Sequence, residues 1–128
     1  MADTRRATAN IRVIDAQTWT PGYSSVYLVI GESVALIETG LSTSSGAIVR
    51  GIQDLGIGPL DISHILVTHI HLDHAGAAGI LAREFPRAEV LVHPVGIPHL
   101  IDPPRLVNSS RRALGEFGNS YGLDLVVP

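Results

Sequence analysis

Apolar residues set the first third of the chain as short extended segments. Ile11, Val13 and Ile14 open a run toward Trp19, and Thr20-Pro21-Gly22 is a turn signal. Ser25 to Ile30 is rich in β-formers (Val26, Tyr27, Val29, Ile30). Gly31-Glu32-Ser33 then gives a tight turn into Val34 to Ile37, so the pair reads as an antiparallel hairpin. The period then lengthens. Ile48, Ile52 and Leu55 lie at i, i+4 and i+7, one stripe of an amphipathic helix, with Thr43 or Ser44 to cap it and Gly56 to end it. Ile65-Leu66-Val67 is a short buried strand. A helix is predicted from about Ala75 to Phe85, stopped by Pro86, and a strand over Ala88 to Val92. Asp102-Pro103 forms an N-cap and N1 pair for a last helix with Leu106, Ala113, Leu114 and Phe117 on one side. The tail, Leu123 to Pro128, reads as the approach to another strand.

The order β-β-β-α-β-α-β-α belongs to an α/β (α+β) chain: a mixed sheet with helices on one face. At 128 residues the length fits one domain. No repeat or low-complexity tract interrupts it. The first ten residues have no apolar core of a signal peptide, and the apolar stretch Val26 to Ile37 is cut by Gly31, Glu32 and Ser33, too early for a membrane span. The expected compartment is the cytoplasm.

Composition removes several chemistries. The net charge of -3 offers no basic face for nucleic acid. Cysteine is absent, which excludes disulfides, thiolate metal sites and cysteine nucleophiles. All nine positive charges are arginine, so neither a Schiff-base lysine nor a P-loop lysine exists. There is no Gly-x-Gly-x-x-Gly. Ser44-Ser45-Gly46 reads as helix capping and Arg111-Arg112 as a solvated helix face.

What remains is histidine. Three of six fall within six residues, in Thr68-His69-Ile70-His71-Leu72-Asp73-His74-Ala75-Gly76, directly after a strand. Residues two apart on an extended backbone point the same way, so His69, His71 and Asp73 share a side, and His74 turns inward as the next helix begins. Four ligand-type side chains thus converge at a strand end, where ligands bind in α/β folds. Imidazole and carboxylate donors without thiolate suit zinc, iron or manganese. The competing reading is a solvated histidine-rich loop.

This stretch resembles the signature of the metallo-β-lactamase superfamily, His-x-His-x-Asp-His with a following small residue and Gly. Ala35-Leu36-Ile37-Glu38-Thr39-Gly40 is similar to the family's hydrophobic-Asp-Thr-Gly strand end, and Asp61 to Thr68 to its lead into the metal loop. The likeness runs from about residue 11 to the end. It implies an αββα sandwich of which residues 1–128 supply about the first half, as a single incomplete domain. It further implies His69 and His71 on a first metal and Asp73 and His74 on a second, with Asp73 also the catalytic residue. The cofactor would be zinc, two ions in the full-length protein, with iron or manganese as alternatives.

Two departures stand out. Glu38 replaces the usual Asp, which in the family supports the metal loop from outside the ligand set; Glu38 is not assigned as a ligand. The family also completes its site with a Gly-His histidine, a bridging Asp and a last histidine, and this chain has no Gly-His pair. His93 and His99 read as loop or core histidines, although Ile97 to Pro103 resembles a segment of a glyoxalase-II-like subgroup. His64 reads as structural or exposed. The flavodiiron branch usually carries Glu at the position of His71, which disfavours a redox role.

The resemblance therefore implies a metal-dependent hydrolase, glyoxalase-II-like, using a metal-bound hydroxide on a small-molecule thioester, lactone or other ester, with no nucleic acid or membrane partner. One alternative is a mononuclear iron enzyme similar to persulfide dioxygenases. Another is a non-catalytic short metal-binding protein, or a half-sandwich that assembles with a second half, since an uncovered sheet favours a homodimer.

Overall fold

The alternation in Ser25–Ile30 is the seed of a six-stranded mixed sheet. In the computed structural model, which describes residues 4–128 apart from the side chains of Phe117, Asn119 and Asp124, the strands lie in chain order. They are β1 (Thr4–Arg6), β2 (Ile11–Asp15), β3 (Ser25–Ile30), β4 (Val34–Ile37), β5 (Ile62–Leu66) and β6 (Glu89–Leu91). β1 to β4 pair antiparallel, and β4, β5 and β6 pair parallel. The antiparallel pairs need only tight turns, whereas the parallel pairs need helical crossovers. That is why the chain changes period after β4.

One face of the sheet carries the core. Ile14 opposes Val26, Leu28 opposes Leu36, and Leu36 opposes Ile65, all buried. Helix α1 (Ser45–Asp54) lays Ala47, Ile48, Gly51 and Ile52 on this face. Gly51 sits where a Cβ would come within 2.7 Å of Ile14, so the helix approaches β2 closely. Burying each large aliphatic side chain here contributes about 1.5–3 kcal/mol. Gly56, at φ +77°, ends α1: its N–H bonds Gln53 O, and the Ile57 N–H bonds Ile52 O.

None of the described residues covers the opposite face. Tyr27, Val29 and Leu91 lie there, each about two fifths exposed. The helices thus occupy one face, as the element order predicted.

Several boundaries differ from the sequence reading. β1 was not foreseen; its polar Thr4-Arg5-Arg6 has no hydrophobic pattern, and only pairing with β2 makes it a strand. β5 begins at Ile62 because it pairs with β4 from Val34 onward, and Ser63 donates to Val34 O at 3.1 Å. The helix expected over Ala75 to Phe85 is two pieces, α2 (Leu72–Ala75) and α3 (Ala78–Glu84). The break falls where Ala77 N–H turns to Gly40 O and Thr39 Oγ1.

Ile97–Ile101 forms a short helix, α4, that periodicity did not reveal. Its end is fixed by Asp102 N–H on Pro98 O, so Asp102 does not cap the last helix. That helix, α5, is Pro104–Leu114 with Pro103 at the N-cap. It stops where Gly115 takes φ +56°. Residues 115–121 continue as a 3-10 turn, and the expected inward face of Phe117 lies outside the described side chains. The tail makes a 3-10 turn over Leu123–Leu125 and no strand. Among the described residues, no helix is long and apolar enough to cross a membrane.

Candidate metal centre

The centre forms at the carboxyl ends of β4 and β5. β5 ends at Leu66, and the chain runs without regular structure through His71 before α2 begins. The sequence reading kept Asp73 on the extended run with His69 and His71. Asp73 and His74 instead occupy the first turn of α2, fixed by His74 and Ala75 N–H bonds to His71 O at 2.8 and 2.9 Å. Two motifs of different period are therefore spliced: an extended His-x-His and a helical Asp-His. The splice brings the rings together. His69 lies 5.0 Å from His71 and 4.2 Å from His74, centroid to centroid. Asp73 Oδ2 lies 3.5 Å from His74 Nε2.

Behind the rings stands Glu38, the first residue after β4. Its φ is +74°, a conformation uncommon outside glycine and found where surroundings over-determine it. The backbone is held on both sides: Glu38 N–H bonds Leu66 O at 2.8 Å, and Thr39 N–H bonds His74 O at 3.0 Å. The carboxylate is fully engaged. Oε1 accepts from Thr68 N–H and Thr68 Oγ1–H, both at 2.8 Å, and Oε2 accepts from His74 Nδ1.

Those bonds order protons across the site. The Thr68 hydroxyl spends its single proton on Glu38, so at 2.9 Å it accepts from His69 Nδ1–H. The Nδ1 atoms of His69 and His74 then carry protons, and their Nε2 lone pairs are free for a metal. One buried carboxylate fixes two imidazoles, one directly and one through Thr68. The His74 side chain is 41% exposed and that of Glu38 only 11%, which puts the rings in front and the carboxylate behind.

The donor set fits a divalent metal. In tetrahedral coordination with bonds of about 2.0–2.1 Å, neighbouring donors stand roughly 3.3 Å apart. The Asp73–His74 separation of 3.5 Å is close to that edge without rearrangement. Glu38, His69 and His74 also offer donor atoms within 4.8 Å of one another. Both Glu38 oxygens already serve protein donors, so that carboxylate is suited to orient imidazoles rather than to bind an ion.

The tight packing under the site explains the small residues of the motif. A Cβ on Gly76 would sit 2.3 Å from Leu72 O and 3.0 Å from Ser42 N. Gly40, at φ +65°, pairs with Ala75 across the same seam. Among the described residues no buried side-chain N or O lacks a partner.

The other histidines stay apart. His93 is exposed, and its Nδ1 accepts from Val95 N–H, a cap on a 3-10 turn. His99 sits half-buried on α4. His64 lies on the uncovered sheet face, bonded to Ser63 Oγ at 2.8 Å. Sequence reasoning missed Thr68 as part of the site, although it ends a segment already singled out. It also missed Tyr121, which lines a cavity with His71 and Asp73. Burial, followed by the charges of Asp73 and Tyr23, raises the Tyr121 phenol above its usual range.

Comparison with known proteins agrees with this geometry. The profile of the metallo-beta-lactamase superfamily matches residues 19–124. "Metallo-beta-lactamase domain-containing protein 1" of Xenopus laevis is 34% identical over 68 residues, covering 53% of this chain and 28% of that protein. "Probable metallo-hydrolase MJ0888" of Methanocaldococcus jannaschii is 31% identical over 121 residues, covering 82% of this chain and 57% of that one. The crystal structure of a subclass B3 metallo-beta-lactamase from a soil metagenome superposes with a TM-score of 0.69 at 26% identity, over 77% of this chain and 36% of the enzyme. This chain thus spans less than two thirds of each. The matched profile, the mixed sheet and the histidine-aspartate cluster at its edge converge: the chain belongs to the metallo-beta-lactamase superfamily.

Proposed function

We propose that this chain carries the metal-binding end of a hydrolase acting on a thioester, lactone or other ester, with zinc as the metal. His69 and His71 would hold one ion, and Asp73 and His74 a second. When bound, such a pair supplies a hydroxide nucleophile at neutral pH and a Lewis acid for the carbonyl. The observation that carries this reading is the ordered proton set. Glu38 and Thr68 fix the Nδ1 atoms of His74 and His69, which leaves both Nε2 atoms available, that of His74 3.5 Å from Asp73 Oδ2. Asp73 adds a negative charge at the open side of the cluster, where it can take a cation or hold a proton near a leaving group. Leu72 and Ala75, both buried, anchor the short α2 that carries Asp73 and His74.

The test is metal content, followed by ester turnover. The chain purified without chelator is expected to carry zinc, and His69→Ala with His71→Ala to lose it together with any hydrolysis of thioester or lactone substrates. Absence of zinc, iron and manganese from the native protein would sink the reading. A single bound iron with oxygen consumption on a persulfide would replace it.

A further inference from the structure

We propose that residues 104–121, α5 and the turn that follows it, form a hinged arm that gates the metal centre, with Trp19 as its latch. The gated ion rests on the metal reading above; the movement of the arm does not.

Burial along the arm is the first observation. Pro103 and Leu123, just outside its two ends, are buried. Between them Gly118 is the only buried residue among those described, and a Cβ there would lie 3.4 Å from Leu123, not against the sheet. Over its eleven residues α5 buries none, whereas α1 buries four of ten. Local stability follows buried apolar contact, so a helix seated this lightly lifts at little cost. Glycines supply the joints. Gly115 takes φ +56° with ψ −128°, and Gly122 takes φ +61°, angles that glycine adopts freely. The far joint is pinned to the body by Ser42 Oγ–H, which donates to Gly122 O at 2.6 Å.

The latch is rigid where the arm is not. Trp19 Nε1–H donates to Ser120 O at 2.7 Å, and the indole meets Tyr121 edge-on with centroids 5.2 Å apart. On the other side Tyr23 packs against the indole at 4.8 Å. The buried Asp15 clamps the β2–β3 loop by accepting from Gln17 N–H at 2.8 Å and Gly22 N–H at 2.7 Å. Trp19 itself is held at φ +61°, which for a bulky residue marks a conformation that the surroundings impose.

Placement makes the arm a gate. A cavity of about 320 Å³ has His71 and Asp73 on one side and Ala113, Leu114 and Tyr121 of the arm on the other. With the latch engaged, the arm walls that side of the ligand cluster; lifting it opens His71 and Asp73 to solvent. The arm lines the cavity with no His, Asp or Glu. It therefore sets how fast an ion enters and leaves, and leaves the affinity alone. A gate changes both rates together, whereas a ligand or a structural prop changes their ratio.

Two measurements on the whole chain test this: hydrogen exchange read by mass spectrometry, and stopped-flow transfer of zinc to and from a chromophoric chelator. In the wild type, amides of residues 104–121 should exchange faster than those of β3 and β4. Trp19→Phe keeps a ring and loses the donor. It should raise arm exchange and both zinc rates about 3–10-fold, and Trp19→Ala about 10–100-fold. Sheet exchange and the dissociation constant should not move. Gly115→Ala, where a Cβ would meet nothing within 4 Å, should act in the same direction through backbone strain alone. Exchange that rises equally across the sheet, or weaker zinc binding at an unchanged association rate, would overturn the proposal. Zinc rates indifferent to Trp19→Ala would remove the gate and leave the metal reading standing. No zinc uptake by any variant would overturn the metal reading instead, and arm exchange that still follows Trp19 would keep the latch.

Discussion

Glu38 occupies a backbone conformation that costs about 1–3 kcal/mol for a residue with a side chain, and it is held there by four hydrogen bonds to β5, Thr68 and α2. The Glu38 carboxylate reaches Thr68 and His74 at once. Removing the hydroxyl that relays it should therefore be felt at the metal. Thr68→Val is expected to weaken zinc binding about 10–100-fold, read by competition with a chromophoric chelator, whereas Thr68→Ser keeps it. Glu38→Gln should lose affinity on the same scale. An unchanged affinity in both would show that the Nδ1 bonds do not order the rings. Tyr121 gives a second residue-scale readout. Its phenol is shifted upward in the fold, so the folded state holds that proton where the unfolded chain releases it. Stability from this group is present below about pH 10, the ordinary phenol value, and is lost as pH rises through the folded value. Tyr121→Phe should remove tyrosinate absorbance from the region above the usual phenol range.

At the scale of elements, the site depends on how closely α2 lies over the end of β4. Gly76 is the contact that permits it, with Leu72 O and Ser42 N inside the space a Cβ would take. Both obstacles are backbone, so neither can swing aside. Gly76→Ala should destabilise the chain by about 1–3 kcal/mol in chemical denaturation and lower zinc affinity by moving Asp73 and His74. A variant with native stability would mean that α2 can shift without cost. The same seam explains the broken helix. Ala77 gives its N–H to Gly40 O and Thr39 Oγ1, bonds that no local pattern announces because their acceptors lie 37 and 38 residues away.

At the scale of the molecule, the described residues cover the sheet on one side only. Tyr27, Val29 and Leu91 share the bare face with the half-buried Ile37 and Leu66. Apolar area of this kind draws a second surface onto it. The 128-residue chain is expected to self-associate with rising concentration in sedimentation velocity, and Val29→Lys to shift it toward monomer. A wild-type chain that stays monomeric at high concentration would count against pairing through this face.

The local pattern of the sequence already determined much. Alternating and 3.6-period apolar positions placed β2, β3, β4, α1 and β6, because burial of one face repeats at the spacing of the element itself. The spacing of His69, His71, Asp73 and His74 pointed to a candidate metal cluster, because its members are close in the chain. What depended on distant partners stayed hidden. β1 is a strand only through β2, the helix after the cluster is cut only by Thr39 and Gly40, and Thr68 joins the site only because Glu38 stands beside it. Tyr121 reaches the same cleft from 47 residues beyond His74 because Trp19 latches its segment. Local periodicity records which face of an element is buried. Which side chains meet across the fold is settled by packing, and that only the tertiary structure decided.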